Sequence, residues 1–117
     1  MRKVSRNSAK SRPNPDSFDA FFRNFANETR LGIIVALRDG PLNVTELAKR
    51  VGESQSTVSH SLKKLAECRI LHVERDGKSR VYSLNEATVL PILHLAERHV
   101  RKNCSGTCAA RCARCER

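Results

Sequence analysis

The last 14 residues of the chain contain four of its five cysteines, spaced C-x3-C-x3-C-x2-C. They are Cys104, Cys108, Cys112 and Cys115. Thiolates are soft ligands that select thiophilic ions such as arsenite, Cd and Zn. The positive charges of Arg111 and Arg114, which lie between these cysteines, favour the thiolate form. The spacing therefore predicts a site for a thiophilic metal or metalloid ion in this tail.

The same four thiols suit two other roles. They can act as a redox switch between thiol and disulfide without metal, or hold a structural zinc ion that senses nothing. On one continuous helix the first and last thiols would lie about 16 Å apart, too far for one ion to bind all four. Neighbouring pairs or triples, or a tail folded at Ser105-Gly106, would still form a site. The fifth cysteine, Cys68, is expected to be a small packed residue.

A second group of candidate residues is polar and basic. Short or flat polar side chains at the start of a helix suit the major groove of DNA, because Gln can bond adenine at two atoms and Ser or Thr can reach base edges or phosphates. Basic side chains around a glycine turn suit phosphates or the minor groove. The predicted DNA contacts are Gln55, Ser56, Thr57, Ser59, His60 and Lys63 on a helix, and Arg75, Lys78 and Arg80 on a hairpin. An ordinary solvent-exposed face is the alternative for the helix.

The charge of the chain indicates a polyanionic partner. Its 117 residues contain 22 Lys and Arg against 12 Asp and Glu, a formal net charge of +10, and such an excess is typical of proteins that bind nucleic acid. No apolar run is long enough to span a bilayer, and the basic N-terminus lacks the apolar stretch of a secretion signal. We therefore expect a cytoplasmic protein with double-stranded DNA, and no membrane, as its partner. No nucleophile–base pair or cofactor loop stands out, so we do not expect an enzyme.

Apolar spacing predicts the helices that precede these residues. The four phenylalanines of the chain follow the i, i+3, i+4, i+7 pattern of one helical face. They are Phe18, Phe21, Phe22 and Phe25. A second helix is predicted near residues 28–38, with Asn27 as its N-cap. Its expected inner face consists of Leu31, Ile34 and Val35.

Two further helices carry the polar candidates. Asn43 and Glu46 match a capping box at the start of a short helix over 44–51. Ser54 can cap the next helix, near 55–67, whose apolar positions recur at helical spacing. The polar candidates then lie at the beginning of this second helix.

The periodicity then changes from helix to strand. Residues 70–75 and 79–84 are predicted strands around a glycine turn, which together form a hairpin. Val73 and Val81 are expected to face inward.

A last helix begins after Asn85 and has an apolar stripe. Because proline lacks the N–H that a helix interior needs, we expect this helix to start near Thr88 or to kink at Pro91. The stripe consists of Val89, Ile92, Leu93, Ala96 and Val100.

The predicted order is α-α-α-α-β-β-α, a mainly α-helical fold with a small β-hairpin. The third and fourth helices form a helix-turn-helix, whose second helix enters the major groove by its N-terminal residues, and the hairpin makes it a winged helix. We expect a disordered basic arm over 1–15, a winged-helix domain that binds DNA and dimerises over 16–103, and a Cys-rich tail over 104–117.

Several stretches, taken together, resemble the arsenic-repressor (ArsR/SmtB) family of winged-helix metalloregulators. They are Ala26-Asn-Glu-Thr-Arg-Leu31, Val44-Thr-Glu-Leu-Ala48, Ser54-Gln-Ser-Thr-Val-Ser-His-Ser-Leu62, Leu65-Ala-Glu-Cys-Arg-Ile70 and Arg75-Asp-Gly-Lys-Ser-Arg-Val-Tyr82. The resemblance covers about residues 18–103. It implies a homodimer joined through the first and last helices, repression by operator binding, and release of DNA when a metal or metalloid binds.

The resemblance also tests two sites known in the family. Its thiolate pattern Cys-Val-Cys-Asp is replaced here by Asn43-Val-Thr-Glu46, so we expect that site to be absent. Of its carboxylate and histidine site on the last helix, Glu86 and His99 remain, but Thr88 and Lys102 replace the other two ligands.

The tail is therefore the predicted sensor, because the family's other positions are empty or half empty. His94 and Glu97 on the last helix are expected to form an ordinary solvent-exposed face. The sequence predicts a homodimeric repressor that a thiophilic ion releases from its operator. A thiol-redox-responsive repressor, or a DNA-binding module with a structural zinc tail, is the alternative.

Overall fold

The computed structural model describes residues 15–103. In chain order its elements are α1 (Pro15–Ala26), α2 (Glu28–Ala36), a 3-10 turn (Leu37–Asp39), β1 (Leu42–Asn43), α3 (Val44–Val51), α4 (Gln55–Glu67), β2 (Leu71–Asp76), β3 (Ser79–Leu84) and α5 (Glu86–Asn103). This order confirms a mainly helical winged helix with a small hairpin. The predicted basic arm, except Pro15, and the Cys-rich tail lie outside the described residues.

The hairpin belongs to a three-stranded antiparallel sheet of order β1-β3-β2. β2 and β3 pair from Leu71 opposite Leu84 to Asp76 opposite Ser79. The sequence did not predict β1, because two residues are too few to show a period. β1 places Leu42 opposite Tyr82 and so joins the start of α3 to the hairpin.

Local side-chain caps define the helix starts as predicted. The Asn27 side chain accepts from the Arg30 N–H at 2.9 Å at the start of α2. Asn43 and Glu46 form a complete capping box on α3, with bonds of 2.8 and 2.9 Å. Such caps satisfy N–H groups that have no partner within the helix, and each stabilises by about 1 kcal/mol.

The core lies where α2, α3 and α4 meet the sheet and the start of α5. Its fully buried apolar side chains are Ile33, Ile34, Leu47, Val58, Leu62, Leu65, Ile70 and Val89. On α2 the prediction was wrong at Val35, which is 46% exposed, and it omitted Ile33, which is buried. A Cβ added at Gly32 would lie 3.4 Å from Val51 Cγ1, an ordinary contact distance, so this side of α2 packs against α3.

Two further expectations about packing were wrong. Val73 is 43% exposed, because β2 extends beyond the core towards the turn, and Val81 is half-buried, because it lies on the opposite face of β3 from Tyr82. Tyr82 and Leu84, nearer the body, are buried instead. Cys68 is exposed, because it follows the last turn of α4 as its C-cap.

Helix α5 runs unbroken through Pro91, so the expected start near Thr88 was wrong. Pro91 and Ala87 are both exposed. Water can therefore bond the Ala87 carbonyl that the proline leaves without a helical donor. Within residues 15–103, no helix is long and apolar enough to cross a membrane.

Candidate nucleic-acid interface

Helices α3 and α4 form a helix-turn-helix whose buried face determines which side chains point outward. Gly52 ends α3 in a left-handed conformation with φ of 74°, and Ser54 caps α4 two residues later. The inner face of α4 consists of Val58, Ser61, Leu62 and Leu65. The opposite side of α4 is therefore free to contact a partner.

The predicted helix residues lie together on that opposite side. We call this surface the polar face of α4; it consists of Gln55, Ser56, Thr57, Ser59, His60 and Lys63, and all six are exposed. Ser56, Ser59 and His60 make no side-chain hydrogen bond or ion pair with any residue in the described part of the chain. Their donors and acceptors are therefore available to a ligand.

Two members of the polar face are held by neighbouring residues. The Ser54 hydroxyl donates to Thr57 Oγ1 at 2.9 Å, and the Thr57 backbone N–H donates to Ser54 Oγ at 3.1 Å. The Gln55 side-chain amide donates to Thr45 Oγ1 of α3 at 3.3 Å. From the sequence, Thr45 is only the position of a missing thiolate, since a contact across ten residues has no periodic signal.

The hairpin brings the predicted basic residues together. Arg75 on β2 lies directly opposite Arg80 on β3, and Lys78 lies in the intervening turn with Gly77, whose φ is 66°. All three cationic side chains are exposed. Like charges directly opposite each other destabilise an antiparallel pair. A polyanion bound to both side chains would relieve this repulsion.

A groove of about 1060 Å³ separates the polar face from the hairpin. Its charged lining residues are Lys63, Arg75, Lys78 and Arg80 against Glu67. Ser59 and Thr45 line the same groove. The structure therefore places polar groups of α4 and cationic groups of the hairpin on the two sides of one open, positively charged surface.

The predicted metal ligands are not brought together in the described part of the chain. The four tail cysteines lie outside residues 15–103, and within those residues no group of three or more His, Cys, Asp and Glu could hold a metal ion. At the family's thiolate position, the Asn43 and Glu46 side chains cap α3. Glu86 and His99 lie thirteen positions apart on α5, about 20 Å at 1.5 Å per residue, so one helix cannot bring them to one ion.

Glu97, which was expected to lie on an ordinary solvent-exposed face, is half-buried and forms an ion pair. Arg38 donates to both of its carboxylate oxygens, at 2.7 and 3.2 Å. The hydrogen bond from Arg38 lowers the pKa of Glu97, and the positive charges of Arg38, Arg101 and His94 contribute. The same bond raises the pKa of Arg38. This pair ties α5 to the 3-10 turn.

Comparison with known proteins agrees with this geometry. Residues 27–73 match the model of the bacterial regulatory proteins of the arsR family. The solved AntR antimony-specific transcriptional repressor is 36% identical with a TM-score of 0.65, over 74% of this chain and 79% of AntR.

The chain belongs to the arsR family.

Two curated relatives extend the comparison of this ArsR-family chain. The transcriptional regulator NmtR of Mycobacterium tuberculosis is 43% identical over 63% of this chain and 62% of its own length. The cadmium resistance regulatory protein CadC of Listeria innocua is 30% identical over 68% of this chain and 67% of its own length. The chain thus spans less than two thirds of the length of NmtR and about two thirds of the length of CadC. The ArsR-family chain is thus similar to proteins named as transcriptional regulators.

Proposed function

We propose that this ArsR-family regulator is a homodimeric repressor that binds a double-stranded operator through the polar face of α4 and the hairpin. The observation that carries this proposal is the polar face of α4, on which Ser56, Ser59 and His60 are exposed and without partners within residues 15–103. Ser59 and Lys63 of this face line a groove together with the hairpin cations. In a helix-turn-helix, the start of the second helix contacts base edges in the major groove.

The hairpin is the proposed backbone contact. Arg75, Lys78 and Arg80 carry positive charge around the hairpin turn, so phosphates or the minor groove are their proposed targets. Lys63, one turn after His60, extends the same positive surface along α4. Residues 16–103 are in this proposal the DNA-binding and dimerising unit, with the basic arm and the Cys-rich tail at its two ends.

The sensing role is proposed for the four tail cysteines, Cys104, Cys108, Cys112 and Cys115. Four thiols are a donor set that suits arsenite, Cd or Zn. The relatives named as antimony-specific and as cadmium resistance regulators support ions of this class. When such an ion is bound, the dimer would favour a state whose two α4 helices no longer match the operator, a coupling of about 1–3 kcal/mol.

The DNA contacts are tested by alanine substitution on the polar face. Ser56→Ala and His60→Ala should each weaken operator binding by about 1 kcal/mol or more, because each removes a base or phosphate contact. Binding is followed by fluorescence anisotropy on a duplex chosen from a random library. His72→Ala, which removes an exposed histidine from β2, is the matched control and should bind as the unmodified protein does. Unchanged affinity in both α4 variants would show that this face does not contact the operator.

The sensing role is tested by titrating the reduced full-length chain with arsenite or Cd. Absorption from thiolate-to-metal charge transfer and operator release should appear together, and both should be lost when the four tail cysteines are replaced by Ser. Release by diamide in metal-free buffer would support the redox alternative instead. Metal binding without any change in operator affinity would support a structural zinc tail.

A further inference from the structure

Tyr82 on β3 is a buried tyrosine whose hydroxyl has no partner in the described part of the chain. The residue is 7% exposed, and its side chain makes no hydrogen bond with any of residues 15–103. A tyrosine hydroxyl is both a donor and an acceptor, and it usually finds a hydrogen-bond partner when it is buried. Because a buried polar group without a partner costs free energy, we looked for a ligand that would supply one.

The strand register places Tyr82 on the groove side of the hairpin. Side chains two residues apart on a strand share one face, so Tyr82 lies on the same face of β3 as Leu84 and Arg80. Leu84 is buried in the core, whereas Arg80 is exposed. The cross-strand neighbour of Tyr82 on β2 is Val73, and both residues line the groove between the hairpin and the polar face of α4. Tyr82 therefore lies where the buried side of the hairpin opens into this groove.

The other side chains along the groove suit a phosphate group. Its charged lining residues are four cations and one acid, namely Lys63, Arg75, Lys78 and Arg80 against Glu67. Phosphate oxygens accept hydrogen bonds, and tyrosine is one of the side chains that donate to them in protein–DNA complexes. A DNA strand in the groove would match the cations by charge and the hydroxyl by its donor.

We propose that the Tyr82 hydroxyl donates a hydrogen bond to a phosphate oxygen of the DNA strand that lies in this groove. The inference rests on the proposed contact of α4 and the hairpin with DNA. Because Tyr82 belongs to the buried core, its ring is held in place before DNA binds, and little side-chain entropy is lost on binding. Such a contact fixes the position of the DNA strand without reading its sequence.

The test compares Tyr82→Phe with the unmodified full-length chain on a duplex chosen from a random library. Phenylalanine keeps the ring and removes only the hydroxyl. Affinity should fall by about tenfold, because a hydrogen bond to a charged group is lost, and by a similar factor on duplexes of unrelated sequence. The urea midpoint of the free chain should stay the same or rise, because the fold loses a hydroxyl that had no partner. Ser83→Ala, which removes a hydroxyl from the opposite face of β3, is the matched control and should bind as the unmodified chain does.

Salt dependence separates the hydroxyl from the cations of the groove. Tyr82→Phe should keep the slope of log affinity against log salt concentration, because a neutral hydroxyl releases no counterion, whereas Arg80→Gln should reduce the slope by about 1. Methylphosphonate substitution of single phosphates then identifies the partner of the hydroxyl. At one phosphate, the loss of affinity caused by the substitution should be smaller in Tyr82→Phe than in the unmodified chain.

Two results would overturn the inference while the proposed function stands. One is a Tyr82→Phe variant that binds as tightly as the unmodified chain when Ser56→Ala or Arg80→Gln binds more weakly. The other is a loss of affinity together with a lower urea midpoint, which would give the hydroxyl a role in the fold instead. If Tyr82→Phe, Ser56→Ala, His60→Ala and Arg80→Gln all bind as the unmodified chain does, the proposed DNA contact itself is wrong, and the inference falls with it.

Discussion

Arg69 has a left-handed backbone, with φ of 59°, although it is not a glycine. It ends α4 by donating its N–H to the Ala66 carbonyl at 3.0 Å, and the Ile70 N–H then bonds the Leu65 carbonyl at 3.1 Å. The Arg69 carbonyl accepts from the side chain of Asn85, just before α5, at 3.0 Å. A single strained residue thus connects the end of the DNA-facing helix to the start of α5.

We expect Arg69→Gly to stabilise the fold by about 0.5–1 kcal/mol. The left-handed conformation costs an L-residue about 1–2 kcal/mol, and glycine avoids that cost while losing more backbone entropy on folding. Urea unfolding measures the difference. Arg69→Ala is the control, since it removes the same side chain but keeps the Cβ, and it should not stabilise. A glycine variant no more stable than the alanine variant would contradict the prediction.

Helix α5 is held to the rest of the chain by different forces along its length. Val89 and Leu93 in its first half are buried in the core. Further along, the pair between Arg38 and Glu97 joins it to the 3-10 turn. Asp39 in the same turn lies 3.4 Å from Arg50 in the last turn of α3. Two ion pairs on neighbouring residues therefore link α5 with the first helix of the helix-turn-helix.

The pair between Arg38 and Glu97 predicts a pH-dependent contribution to stability. Because the folded pKa of Glu97 lies below its ordinary value of 4.5, the pair stabilises the fold above that pH and the effect is lost as the pH falls through the lowered pKa. Glu97→Gln should therefore be less stable than the unmodified chain at neutral pH and equal to it in acid. Urea unfolding at several pH values measures this.

The control for that experiment is the same Glu97→Gln substitution made in an Arg38→Gln variant. In Arg38→Gln, Glu97 has lost the partner that lowers its pKa most. The pH-dependent loss of stability caused by Glu97→Gln should therefore be smaller in this background than in the unmodified chain. An equal loss in both backgrounds would show that Arg38 is not its cause.

At the scale of the whole molecule, two helices expose large apolar side chains. Phe18 and Phe22 on α1 are 55% and 45% exposed, and Leu95 and Val100 on α5 are 59% and 40% exposed. Phe21 and Phe25, on the same α1 stripe, pack against the core. A second copy of the chain, docked on α1 and α5, is the occupant that we propose for this surface, because a dimer would place two α4 helices on two operator half-sites.

We expect Leu95→Asp to yield a monomer. A carboxylate at an exposed position leaves the fold of one chain intact, but it is costly when buried unpaired in an interface. Light scattering should show half the mass of the unmodified chain, and operator affinity should fall because only one half-site is bound. Lys49→Asp, which places the same charge on exposed α3, should remain a dimer. A dimeric Leu95→Asp would refute this interface.

The sequence predicted those parts of the candidate site that depend on residues close together in the chain. The polar face of α4 follows from helical spacing around Val58, Leu62 and Leu65, and the basic hairpin follows from a glycine turn between two strand-like stretches. The hydrogen bond between Gln55 and Thr45 was missed because the two residues belong to different helices. The role of Glu97 was missed because its partner, Arg38, is 59 residues away.

By itself, the sequence determined the order of the helices and the hairpin, and where α2, α3 and α4 begin. The caps at Asn27, Asn43 and Ser54 each act over three residues, so the chain needs no tertiary contact to form them. Only the tertiary structure decided which sides of those elements are buried. Residues 31–37 are apolar nearly all round, and the packing of α2 against α3 and α4 buries Ile33 and leaves Val35 46% exposed. Packing decides such choices, because apolar periodicity cannot rank two adjacent faces of one helix.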